Sequence, residues 1–77
     1  MKIKTLRQMN IGESGKVVSV NGSSDAKRRM IDLGITPGAS ILLKKYAPLG
    51  DPMEIRVRGY NVALRKSEAE IIVVEVE

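Results

Sequence analysis

The sequence predicts a mainly β domain, a small barrel of about five short strands with one α-helix inserted. Three observations carry that expectation. Apolar and polar residues alternate in short runs, most clearly over Met53–Arg58 and again from Tyr60 to Arg65. Glycines and prolines punctuate the chain between those runs. A single stretch, around Ala26–Leu33, instead repeats its apolar residues at helical spacing.

Taken in order, Leu6 and Met9 stand three apart, enough for one helical turn that plugs the end of a barrel, and Asn10 and Gly12 break it. Lys16–Val20 is rich in β-branched residues and bounded by Gly15 and Gly22, so it reads as a strand closed by an Asn21-Gly22 turn. The helix follows. Ser23 or Ser24 caps it, and Asp25 suits the positive end of its dipole. Ala26, Met30 and Leu33 line one apolar stripe, while Lys27, Arg28 and Arg29 face water. Gly34 suits the left-handed position past the helix end, and Pro37 prevents resumption.

Ser40–Tyr46 is an apolar run turning basic, and Pro48–Pro52 is a rigid loop. Met53–Arg58 puts Met53, Ile55 and Val57 on one face of a strand. Gly59-Tyr60 breaks the phase and reads as a two-residue hairpin loop. Tyr60, Val62 and Leu64 alternate next, and the closing run Ile71–Val76 is again β-branched. That run is apolar on both faces, so it is either covered twice or pairs with another copy in a homo-oligomer. Strands this short need closure to bury a core, which makes the expectation an SH3-like barrel with the helix between its first two long strands.

Length allows one domain, residues 1–77. There is no cysteine and no histidine, which removes disulfides, thiolate metal clusters and the commonest general base. The core must be aliphatic, because the chain has no Phe or Trp and only Tyr46 and Tyr60. No segment approaches the roughly 20 apolar residues that span a bilayer. The start, Met1–Thr5, lacks the apolar run of a secretory signal, and the expected location is cytoplasmic. A net charge of +4 favours an acidic partner, although nine acidic residues interleave with thirteen basic ones.

No nucleophile–base set, phosphate loop or metal-ligand spacing occurs, so neither catalysis nor a cofactor is expected. The basic residues Lys44, Lys45, Arg56, Arg58, Arg65 and Lys66 raise a nucleic-acid reading. Single-strand binders, however, carry aromatic stacking platforms, and here only two tyrosines are available. A solvated face explains these cations, and no nucleic-acid partner is expected. The loop Ala47–Pro52 holds an apolar residue, Leu49, between two prolines, and a rigid exposed loop loses little entropy on docking. Met30 lies on the buried stripe, whereas Ile31 lies off it and leaves apolar surface near the helix.

The segment Lys27–Gly38, with its Leu33-Gly34-x-x-Pro37-Gly38 turn, resembles the helix and turn of the FeoA family, ferrous iron transport protein A. Ala47–Pro52 resembles that family's second signature, and Val62–Lys66 with Glu68-Ala69 its third. Leu6, Gly12, Gly15 and Val18 fit its start. The resemblance implies an SH3-like barrel serving as a cytosolic accessory of bacterial ferrous iron uptake. It further implies protein–protein contact with FeoB, a permease with a GTP-binding cytosolic region, and membrane association only through that partner. Similar domains end certain iron- and manganese-dependent repressors, whose DNA-binding and metal-sensing portions have no counterpart here. Some relatives have been suggested to bind metal, for which this chain offers only carboxylates and carbonyls. On this reading the contact residues are Arg28, Arg29 and Met30 on the helix and Leu49 in the loop.

Overall fold

The computed structural model describes residues 1–77. The chain runs through β1 (Lys2–Thr5), a 3-10 turn (Leu6–Gln8), β2 (Ser14–Val20), α1 (Ser24–Asp32) and β3 (Ser40–Tyr46). It continues through β4 (Met53–Val57), β5 (Tyr60–Leu64), α2 (Lys66–Ala69) and β6 (Ile72–Val76). All six strands form one antiparallel sheet in the order β1-β6-β2-β3-β4-β5.

Alternation sets which face each strand buries. Met53, Ile55 and Val57 are at most 1% exposed, and the residues between them lie outward. Across the ladder, Ile55 stands opposite Val62 and Met53 opposite Leu64, so both strands of the β4–β5 hairpin point their apolar faces inward. The two longest strands, β2 and β3, each carry a register shift, between Val17 and Ser19 and between Leu43 and Lys45. Such bulges bend a strand and sharpen its twist. Here they let the sheet curl round a single core of 17 residues, every one aliphatic, alanine or methionine. No polar side chain is buried. The mainly β expectation therefore holds, with Leu6 of the 3-10 turn and Met9 just past it buried in the core, as expected of a plug.

Helix α1 starts where its cap predicts, since the Ala26 backbone N–H donates to Ser23 Oγ at 3.2 Å. It ends by reversal at Gly34 (φ 87°), after which Ile35 N–H donates back to the Met30 carbonyl at 2.9 Å. That return buries Ile35 completely beside Met30.

Several expectations need correction. The strands number six rather than five, because Lys2–Thr5 forms β1 against β6. Four residues with two lysines carry little strand signal of their own; β6 supplies the pairing. The hairpin loop is Arg58-Gly59, not Gly59-Tyr60, since Val57 faces Tyr60 directly. Both loop residues have positive φ, 49° and 88°, the pattern of a type I′ turn. Arg58 takes this costly conformation with its guanidinium tied down, donating to the Gly34 carbonyl at 2.9 Å and to Thr36 Oγ1 at 2.7 Å. Gly15 is not a strand boundary but lies inside β2. As for β6, both of its edges are taken within the chain, by β1 and by β2.

Candidate partner-binding surface

Four short segments meet at one side of the barrel, with the single turn of α2 at their centre. Sequence reading passes over α2 because four residues do not nucleate a helix unaided. Tertiary bonds hold it instead. The Lys66 N–H donates to Asp51 Oδ1 at 3.0 Å, from the loop between β3 and β4. The Arg65 N–H donates to Glu68 Oε1 at 2.9 Å, and the other oxygen of that carboxylate pairs with the Arg29 guanidinium of α1. Glu70, just past the turn, pairs with Arg7 of the 3-10 turn. Thus α2 braces the helix on one hand and the proline-bounded loop on the other.

These contacts act on the Glu68 carboxyl in opposite senses. Partial burial pushes its pKa up, while the Arg65 N–H and the Arg29 guanidinium pull it down and win, leaving it below the ordinary glutamate value. Glu13 lies below that value too, held chiefly by the Asn10 backbone N–H at 3.0 Å and then by Lys4 Nζ at 3.1 Å.

The loop is tied at three points. Ala47 N–H donates to the Pro52 carbonyl at 2.9 Å, Gly50 N–H donates to the Ala47 carbonyl at 2.7 Å, and Asp51 holds α2. At its tip Leu49 is 96% exposed. Lys66 lies beside this loop, its ammonium 5.7 Å from the centre of the Tyr46 ring.

Of the four contact residues expected, three lie on the surface. Arg28 and Leu49 are exposed, and Arg28 takes part in no ion pair. Arg29 is exposed but already engaged by Glu68. Met30, at 1% exposure, is a core residue and leaves the contact set, because the same helical stripe that brings Arg28 out turns Met30 in. Ile31 takes its place as the apolar member: it is 56% exposed, three residues beyond Arg28 on the helix. The bridging roles of Asp51, Lys66 and Glu68 escape sequence reading, since they depend on contacts across 15 and 39 residues.

What this side offers chemically is recognition. Two exposed apolar side chains, Ile31 on α1 and Leu49 at the loop tip, stand on elements joined through α2; Arg28, one turn before Ile31, and Lys66, beside the loop, take part in no ion pair. Two shallow depressions of about 450 and 350 Å³ lie elsewhere, sharing Ser14 and Ser40.

A family model described as the FeoA domain matches residues 4–76. An Fe(2+) transport protein A/Fe(2+) transporter FeoB fusion protein from Porphyromonas gingivalis is 34% identical over 70 residues, which is 91% of this chain. The chain spans only 8% of that fusion protein's length. The solution structure of a FeoA-like protein from Clostridium acetobutylicum superposes with a TM-score of 0.90 at 41% identity, covering 99% of this chain and 88% of that one. A zinc-complexed FeoA from Stenotrophomonas maltophilia, described as an SH3 domain protein, follows at a TM-score of 0.81 and 30% identity, covering 94% and 89%. With 73 of its 77 residues matched end to end, this chain belongs to the FeoA family.

Proposed function

We propose that this chain is an accessory of ferrous iron transport that acts by protein–protein contact with a FeoB-type transporter. The observation that carries the reading is the Porphyromonas gingivalis relative, in which the two proteins are one polypeptide. Covalent linkage raises effective concentration to the millimolar range and is useful where the linked parts work on each other. The braced side described above supports it: an apolar tip on a tied loop loses little freedom on docking, and unpaired cations beside it suit an acidic face. No helix is long and apolar enough to cross a membrane, so membrane attachment through the partner fits this reading.

The test is titration of the chain against a FeoB-type transporter in nanodiscs, with empty nanodiscs and a mixed RNA and DNA pool as controls. Saturable binding to the transporter alone is expected. Combining Arg28→Glu with Leu49→Ser is expected to weaken it about tenfold or more, as loss of an interface anchor does. Arg29 is left intact because reversing it would also break the link to Glu68. Unchanged affinity of the double variant removes this side of the barrel from the interface. Binding to nucleic acid alone overturns the function. Tyr46 carries the Lys66 ammonium over its ring, which leaves the half-exposed ring of Tyr60 as a single stacking surface, where single-strand binders line up several.

A further inference from the structure

The sheet ends in two unpaired edges, and they are built differently. One is β1, with Lys2 and Lys4 in its four residues; lysine on an edge is a usual guard against further pairing. The other is β5, Tyr60-Asn61-Val62-Ala63-Leu64, which has no charge, no proline and no bulge. In a hairpin closed by a two-residue turn, the pair flanking the turn is hydrogen-bonded and the next is not. Tyr60, Val62 and Leu64 therefore bond to β4, while Asn61 and Ala63 aim their N–H and C=O groups at the free edge. Both residues are exposed. Neither takes part in any bond to a side chain or to backbone outside the ladder.

Charge says what fits there. Arg58 precedes the strand, its guanidinium held by the Gly34 carbonyl and Thr36 but its charge unpaired; Arg65 and Lys66 follow it, and none of the three pairs with a carboxylate. A second copy fits poorly. Antiparallel self-pairing of all five residues about Val62 would bring the Arg58 turn of one copy toward the Lys66 end of the other on both sides, like charge near like. An extended segment with acidic residues at both ends has no such conflict.

We infer that the free edge of β5 is a strand-addition site for an extended, acidic-ended segment of the chain's protein partner. Backbone bonds from Asn61 and Ala63 supply the affinity, and the flanking cations set register. The inference rests on the accessory reading above and names a second contact for it.

Hydrogen exchange resolved to single amides tests it, on the full chain, free and with a FeoB-type transporter in nanodiscs. In the free chain Asn61 and Ala63 exchange fast while Val62 is protected. In the complex both are expected to slow at least about tenfold. Ala63→Pro removes one outward donor and nothing from the β4 ladder. It is expected to weaken binding about tenfold, with Val62 protection reporting that the fold is kept. Should that variant unfold, exchange in the unmutated chain decides alone. Binding that leaves both amides fast overturns the edge site and spares the accessory reading. Absence of binding overturns both. Slowing of the same amides in the chain alone at high concentration assigns the edge to a second copy and overturns the inference.

Discussion

Gly15 sits inside β2 directly opposite Val76 of β6. A Cβ placed there would lie 2.7 Å from the Glu75 carbonyl oxygen and 2.7 Å from Val76 Cγ1. Real Cβ contacts of that length do not occur, and one of the two obstructing atoms is backbone, so relief requires the strands to part. Backbone conformation is not the constraint at this position; space is. Gly15→Ala is therefore expected to destabilise the chain by about 1–3 kcal/mol, the usual cost of overpacking. For a domain of this size that lowers Tm by roughly 4–8 °C per kcal/mol. Thermal unfolding by circular dichroism measures it, and an unchanged Tm would show that β6 shifts freely. The neighbouring lesson is Met30, whose place on the buried stripe is legible at sequence level although its neighbour Arg28 faces water.

At the scale of elements, periodicity makes α1, β3, β4 and β5 legible, because each pattern repeats over several residues against one core. What escapes is β1 and α2, four residues each. Neither has enough length to express a propensity, and both exist through partners distant in sequence: β6 for β1, and Asp51 and Arg29 for α2. The contact side suffers most from this, since α2 is the part that joins helix to loop. Its Glu68 yields a prediction with a definite sign. A carboxyl whose folded pKa lies below its unfolded value stabilises the fold above the unfolded value, near 4.5, and that contribution fades as pH falls through the folded value. Glu68→Gln removes it. The variant is expected to be less stable than the parent at pH 7, with the gap closing below pH 4.5. Urea unfolding at a series of pH values reads both. Glu13, lowered in the same direction, leaves a residual acid dependence in the variant. A gap that stays constant with pH would mean Glu68 acts by packing and not by charge.

For the molecule as a whole, one aliphatic core with no buried polar side chain means stability comes from apolar burial inside the curled sheet rather than from bonds between buried side chains. The strand order puts β6 in the interior of the sheet, its Ile72, Val74 and Val76 all within 1% of full burial. Only β1 stands between that strand and solvent on one side. The register pairs Lys2 with Val76 and Thr5 with Val73, so β1 covers the greater part of β6. Of its lysines, Lys2 is exposed and Lys4 is tied to Glu13 at 3.1 Å. This short element thus serves as a guard more than as a contributor to the core. Deleting residues 1–5 should accordingly do two things. It exposes an edge that is β-branched except for Glu75, the kind that templates pairing between chains. It also removes the Thr5 N–H that donates to Gln8 Oε1, while Leu6 and Met9 themselves lie after the cut and keep their place in the core. The truncated chain is expected to keep most of its sheet content by circular dichroism while sedimenting as larger species than the parent at the same concentration. Placing one lysine on the bared edge, by Val73→Lys, should restore the parent's sedimentation. A truncated chain that sediments as the parent does would show that β6 is shielded by its own twist and that β1 has no guarding role.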